Sequence, residues 1–390
     1  MIYRKLSAMR VLPAHKDHEH GHDQVEKQRG SRESAARGPA LVTVAQLPEF
    51  DETIDVRSEG EFAEDHIPGA INCPVLDDAE RVRVGTLYKQ RSAFEAKKIG
   101  AALVSANIAR HLQERFLDRP REWRPLVYCW RGGNRSDAFA HVLYQVGWRA
   151  ARMDGGYRAY RRAVVEQLAE LPGRFRWRVI CGLTGTGKSR LLRAVHDAGG
   201  QALDLEALAA HRGSVLGNLP DAPQPTQKLF ESRVWRALTG YDASRPVYVE
   251  AESRKIGALR VPERLIEAMW KSPCVVLESP VEARIRLLKS EYSHFFDQVG
   301  DLTSKLDCLA PLHGRAVIEH WKSLALAGSW DELTGDLLLR HYDPAYTRAI
   351  AKHYPALDRA PRLVLKDPSD AAFRALAQHL LESARERAQA

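Results

Sequence analysis

Cysteine is scarce in this chain. Five thiols in 390 residues, Cys73, Cys129, Cys181, Cys274 and Cys308, lie far apart. They are too few and too scattered for the disulfide framework of a small secreted domain. Long apolar runs are also missing. No window approaches the ~18 unbroken apolar residues of a membrane-spanning helix, and Met1 to Arg10 lacks the apolar centre of a secretory signal. No internal repeat is present. These absences predict a cytoplasmic protein with free thiols and no membrane partner. Composition excludes a wholly disordered chain, since 44% of residues are hydrophobic and 28% charged, near the globular average. The length predicts two or three domains.

Lysine is absent from one further place. Between Arg121 and Arg178 there are twelve arginines, no lysine and five acids (Glu122, Asp137, Asp154, Glu166, Glu170), a difference of +7 against +8 for the whole chain. Arginine offers a planar fork of donors that suits phosphate. The same stretch holds Trp123, Trp130, Trp148, Tyr157, Tyr160, Phe175 and Trp177. Arginine interleaved with aromatics fits RNA contact through phosphate and stacked bases; it equally fits a solvated basic face over core aromatics.

Residues 1–40 are polar and aperiodic, and are expected to form a disordered tail. Its His15, His18, His20 and His22 make a poor structural metal site without cysteine. Residues 41–165 alternate short apolar strands with helical stretches, which predicts a parallel sheet. Leu171-Pro172-Gly173 marks 166–176 as a linker. A second α/β pattern begins at 177, with strands ending near Cys181, Asp204, Glu250 and Glu278, and turns mostly helical from about 281 to 390.

Two constellations carry chemistry. In the first, the strand Leu126-Val127-Tyr128 runs into Cys129-Trp130-Arg131-Gly132-Gly133-Asn134-Arg135-Ser136 and then a helix. The glycines let the backbone bend around an anion. The helix start and Arg135 add positive charge that favours thiolate at Cys129. Arg131, Gly132 and Gly133 would line the same cradle. Such a loop serves sulfur or selenium transfer, or phosphate-ester cleavage through a phosphocysteine. The second is Gly182-Leu183-Thr184-Gly185-Thr186-Gly187-Lys188-Ser189, a complete phosphate-binding loop between strand and helix. Amides from Gly185 to Lys188 would wrap one phosphate, Lys188 would neutralise a second, and Ser189 would hold Mg²⁺ if the reaction needs it. The loop indicates a diphosphate without naming it. Asp204, Glu250, Glu252 and Glu278 are the strand-end acids open to a metal-linked role. Arg212, Arg254 and Lys255 would line a diphosphate pocket or be plain surface charges. Tyr342, Asp343 and Tyr346 read best as a helix-end turn, and the four cysteines other than Cys129 as core residues.

The first constellation resembles the rhodanese family. Asp55-Val56-Arg57 with Glu61-Phe62, His66-Ile67-Pro68-Gly69-Ala70-Ile71-Asn72 and Asp154-Gly155-Gly156-Tyr157 are similar to its other signatures. Five residues separate Cys129 from Arg135, one more than in ordinary rhodanese loops. That is cysteine-phosphatase spacing, although Tyr128 stands where those enzymes usually carry histidine. A rhodanese-like domain joined to a P-loop domain resembles the bacterial tRNA 2-selenouridine synthases. Asp204-Leu205-Glu206, His211-Arg212-Gly213-Ser214, Gln224 to Lys228, Val249 to Gly257 and His341 to Tyr346 extend the likeness.

The resemblance implies an α/β fold: an N-terminal rhodanese-like parallel-sheet domain, then a P-loop NTPase-like α/β domain with a helical C-terminal part. It implies a transferase that replaces sulfur by selenium at a wobble 2-thiouridine of tRNA, using selenophosphate, through S-geranylation with geranyl diphosphate. Cys129 would be the selanyl-cysteine carrier, Arg135 its anion partner, and Gly182, Gly185, Thr186, Gly187, Lys188 and Ser189 the diphosphate grip. No tightly bound cofactor is expected. The competing readings are a cysteine-dependent phosphatase or nucleotide-dependent sulfurtransferase with a non-RNA substrate, and an RNA-binding P-loop module with an inactive rhodanese domain.

Overall fold

A computed structural model describes residues 38–354 and 357–389. The expected tail and its four histidines lie outside these residues, except that Ala40 already opens the first strand.

The first sheet holds β1 (Ala40–Val42), β2 (Glu52–Asp55), β3 (Ile71–Asn72), β4 (Pro125–Tyr128) and β5 (Ala151–Met153), all parallel in the order β1-β5-β4-β2-β3. Every residue of the central β4 is buried. Its sequence is an unbroken Pro-Leu-Val-Tyr because a parallel strand covered on both faces has no polar side. Asp55 pairs in register with Tyr128, so the chain leaving β2 and the cysteine loop leaving β4 emerge side by side. A helical hairpin, Asp78–Gln90 and Ala93–His111, is inserted between β3 and β4.

The second sheet holds β6 (Arg176–Cys181), β7 (Gln201–Leu203), β8 (Pro246–Glu250), β11 (Cys274–Glu278) and β12 (Arg362–Val364), parallel in the order β12-β11-β6-β8-β7. A small antiparallel pair, β9 (Lys255–Ile256) and β10 (Leu259–Arg260), follows β8. Central β6 delivers the phosphate loop at its C-terminal end. The register Ile180 to Glu250 places the acid of β8 beside that loop, where ligands of open α/β sheets bind. The helices from 281 to 342 pack around Trp321, Leu306 and Leu337 as a separate apolar cluster. Strand β12 breaks the expected helical run by returning to the sheet edge.

The stretch 166–176 is not a free linker. The helix Gly156–Glu170 continues through it, and a 3₁₀ turn, Leu171–Arg174, feeds straight into β6. Tyr157, Tyr160, Val164 and Leu168 form one buried stripe of that helix, at helical spacing. Tyr160 packs edge-on against Trp235, which donates its indole N–H to Gln167 at 2.8 Å. Trp177 donates to the Pro172 carbonyl at 2.8 Å. Tyr128, Tyr160, Trp177, Trp235 and Val247 belong to one continuous core under both sheets, and Gly38–Ala390 forms one compact unit. Among the cysteines taken as core residues, Cys308 is exposed; Leu306 and Leu309 on either side take the buried positions. No helix of the described residues is long and apolar enough to cross a membrane.

Candidate functional site

Cys129 directly follows β4 and is 4% exposed. The loop behind it is shaped by contacts that exclude any Cβ. Gly132 has φ +69°, and a Cβ there would lie 2.6 Å from the Met153 carbonyl; one on Gly156, at φ +55°, would lie 2.2 Å from the Cys129 carbonyl. The amides of Tyr157 and Arg158 donate to the Cys129 and Trp130 carbonyls at 2.8 and 3.1 Å. The Trp130 ring stacks on Tyr157 at 5.2 Å. Gly133 then caps the helix Asn134–Val146.

The immediate polar partner of the sulfur is a hydroxyl. Ser136 Oγ lies 3.2 Å from Cys129 Sγ and also donates to the Gly133 carbonyl at 3.1 Å. Arg135, expected to serve the sulfur, instead donates through Nη1 to Glu61 at 2.9 Å. Burial alone would raise the Glu61 carboxyl, but the Arg135 hydrogen bond and charge hold it below its ordinary value. Ser136 was visible in the sequence as the residue after Arg135, yet nothing there showed that it turns back to the thiol. Arg131 is exposed at the loop's outer edge.

At the other sheet, Gly185 (φ +76°) and Gly187 (φ +89°) make the turns of the phosphate loop. Thr186 donates to the Leu183 carbonyl at 2.9 Å, and Lys188 Nζ lies 3.4 Å from the same oxygen. Arg284, almost wholly buried, donates to the Thr184 carbonyl at 2.8 Å. It is gripped in turn by both oxygens of Asp343, at 3.0 and 2.5 Å. Tyr346 lies under Lys188, its ring centroid 4.9 Å from Nζ, and donates to the Ala251 carbonyl at 3.1 Å. Asp343 and Tyr346 therefore support the loop rather than merely ending a helix. The sequence could not show this, because the contacts span about 60 to 160 residues of chain.

Ser189 Oγ donates to Glu206 at 3.3 Å. Glu206, Glu250 and Glu252 bring carboxylate oxygens within 4.8 Å of one another, and Glu250 Oε1 is buried without a partner among the described residues. Burial is the leading cause that raises all three carboxyls. Repulsion from Glu250 adds to it at Glu206 and Glu252, and Lys188 opposes it at each. Asp204 is committed to capping a helix, accepting from the Ala207 amide at 2.8 Å. Its neighbour Glu206 takes the place in the cluster. Glu278 pairs with Arg362 at the sheet edge. Gly213 brings the Arg212 loop over the acids, a Cβ there lying 2.6 Å from Glu206. The Arg212 guanidinium stacks on Tyr292 at 4.7 Å, with Nη1 buried and unpartnered among the described residues. Arg254 lies over Trp270 and beside Glu263, largely in solvent, and its own contacts do not tie it to the loop. Lys255 is exposed.

An apolar cleft opens directly from the phosphate loop. Thr184 is at its loop end, and Leu288, Tyr292, Phe295, Trp330, Leu333 and Tyr342 form its walls. Its cavity volume is about 70 Å³. Most aromatics of the arginine-rich stretch offer no stacking face: Trp123, Trp148, Tyr157, Tyr160 and Trp177 are core residues and Trp130 and Phe175 are half-buried, while Arg131, Arg158 and Arg162 are exposed.

The architecture defines a class: a rhodanese-like domain with a loop cysteine, built on one core with a P-loop domain. A family model described as a rhodanese-like domain matches residues 43–163. One described as the AAA domain of tRNA 2-selenouridine synthase matches residues 175–306. A protein named tRNA 2-selenouridine synthase from Hydrogenovibrio crunogenus is 36% identical over 255 residues, covering 61% of this chain and 67% of that one. One of the same name from Marinobacter nauticus is 37% identical over 244 residues, covering 61% and 65%. Another, from Shewanella halifaxensis, is 29% identical over 358 residues, covering 84% and 94%. This chain belongs to the tRNA 2-selenouridine synthase family. The matched region spans just under two thirds of the Marinobacter relative.

Proposed function

We propose that this chain is a tRNA 2-selenouridine synthase, using geranyl diphosphate to activate a wobble 2-thiouridine and selenophosphate to supply selenium. The observation that carries the reading is the junction of phosphate loop and apolar cleft at Thr184. A diphosphate on a hydrophobic tail needs that juxtaposition of phosphate grip and apolar wall. The loop amides and Lys188 hold the diphosphate. Charge develops there as the bond to the geranyl carbon breaks and the thiocarbonyl sulfur takes that carbon, so fixed donors lower the barrier. In the second stage a C–Se bond forms at the base as the C–S bond breaks and geranylthiol departs. The selenium of selenophosphate, already at the selenide level, attacks the base carbon directly, and water then cleaves the P–Se bond to release phosphate. A selanyl-cysteine would need a two-electron oxidant that the reaction does not supply. Cys129, with Ser136 and the Gly132–Gly133 cradle, therefore holds the anionic selenium donor against the base rather than carrying selenium.

Ser189, Glu206, Glu250 and Glu252 form a donor set of hard oxygens that fits Mg²⁺. The unpartnered, buried Glu250 oxygen supports the fit. When bound, the ion would share the charge of the diphosphate.

The test is mass spectrometry of nucleosides from thiolated tRNA incubated with the protein, geranyl diphosphate and selenophosphate. Cys129→Ala is expected to stop at S-geranyl-2-thiouridine, and Lys188→Ala to leave 2-thiouridine unreacted. Normal selenation by Cys129→Ala would defeat the role assigned to that residue. Hydrolysis of an aryl phosphate that Cys129→Ser abolishes, without any tRNA product, would favour the phosphatase alternative.

A further inference from the structure

We propose that the helical hairpin Asp78–His111 is an RNA-gripping arm, holding the anticodon arm of tRNA while the Cys129 loop works on it. This rests on the tRNA reading above and names the surface that would serve it.

The hairpin is rooted at the thiol site. The Gly60 amide donates to Asp78 at 3.0 Å, and Glu61, which holds Arg135, also faces Arg81 at 3.7 Å. From that root the first helix extends thirteen residues, ~20 Å at 1.5 Å per residue. The helix buries none of its residues. Its partner approaches closely where Val84 meets Gly100, a Cβ there lying 3.3 Å away. The outer surface has no packing task within the described chain.

That surface has the chemistry of a nucleic-acid contact. From 78 to 98 there are six cations (Arg81, Arg83, Lys89, Arg91, Lys97, Lys98) and three acids (Asp78, Glu80, Glu95), a difference of +3. Among the described residues, Arg83, Lys89, Arg91 and Lys97 appear in no ion pair. Tyr88 is 59% and Phe94 68% exposed, flanking the hairpin turn with Arg91 between them. Lys98, paired with Glu95, lies over the Phe94 ring at 5.3 Å, and exposed rings with unpaired cations nearby in the chain suit bases and phosphates of RNA. The net positive charge disfavours a second copy of the same face. The three large aromatic side chains that are exposed among the described residues are Tyr88 and Phe94 of the hairpin and Tyr144 of the arginine-rich stretch, with the two hairpin rings the more exposed.

The experiment uses the full chain with a fluorescent anticodon stem–loop RNA and intact tRNA, titrated at several salt concentrations. Tyr88→Ala with Phe94→Ala is expected to weaken binding about tenfold or more. Arg83→Glu with Lys97→Glu is expected to flatten the dependence of log affinity on log salt by about 2. Phe94→Trp should keep wild-type affinity. The pairing of variants guards against misfolding, since Arg83 and Lys97 are solvent-facing. If the wild type binds RNA and these variants bind it equally well with the same salt slope, the arm is refuted and the tRNA reading stands. If the wild type binds no RNA, the tRNA reading falls first. Light scattering is run on the same samples; a change in mass with unchanged RNA affinity identifies the face as a contact between copies and also refutes the arm.

Discussion

Asp343→Ala should unmoor the phosphate loop. Arg284 is almost wholly buried, its side chain only 3% exposed, and its counter-charge is Asp343, held at 3.0 and 2.5 Å. Removing one partner leaves a guanidinium in the interior without a carboxylate, which costs ~3–5 kcal/mol for a buried pair. Asp343 keeps some solvent contact at 19%, so water reaches the gap and the lower figure, about 3 kcal/mol, is the better expectation. Equilibrium urea unfolding of the full chain reads the loss directly. The same change should weaken pyrophosphate binding, measured by calorimetry, because Arg284 donates to the Thr184 carbonyl within the loop. The double variant Arg284→Met with Asp343→Leu separates the two effects. Replacing a whole buried pair by apolar residues is often neutral, so stability should largely return. Binding should not, because the tether to Thr184 is gone. Wild-type unfolding and wild-type pyrophosphate affinity in Asp343→Ala would refute the clamp.

Three other outcomes follow from the geometry. Ser136→Ala should slow alkylation of Cys129 by iodoacetamide at neutral pH by no more than roughly tenfold, because the single hydroxyl proton must leave the Gly133 carbonyl to reach the thiolate, so only part of the worth of a hydrogen bond to a charged group is at stake. Ser136→Thr should keep most of the rate, and an unchanged rate in the alanine variant would show the hydroxyl to be idle. Glu250→Gln should abolish the rise in melting temperature that saturating Mg²⁺ gives the wild type, a stabilisation of ~2.7 kcal/mol at a hundredfold excess over Kd; the metal-free variant should be at least as stable, since a buried carboxylate has been removed. Gly132→Ala should destabilise the chain by ~1–3 kcal/mol through left-handed strain, with a further clash at 2.6 Å from the Met153 carbonyl. Circular dichroism would show that as an earlier melt, and iodoacetamide labelling as a loss of Cys129 reactivity.

Much was legible before any coordinates, because the informative features are local in the chain. A strand, a glycine loop and a helix start are contiguous, so Cys129 and the Gly182–Ser189 loop could be placed by spacing alone. Two parallel sheets followed from strands alternating with helices, each strand too short and too apolar to be anything but buried. Glu250 and Glu252 could be proposed as strand-end acids for the same reason.

The third dimension decided partnerships between distant segments. Glu206 rather than Asp204 joins the acids, because a helix cap claims the Asp204 side chain. Arg135 turns to Glu61, more than seventy residues earlier, and leaves the sulfur to Ser136. Tyr157, Tyr160 and Trp177 go inward, because the helix Gly156–Glu170 is the seam along which both sheets share a core. The apolar cleft is assembled from residues 184 to 342 that share no sequence pattern. Local chemistry is written in neighbouring residues; a cavity, a clamp or a shared core exists only once burial has sorted which distant side chains meet.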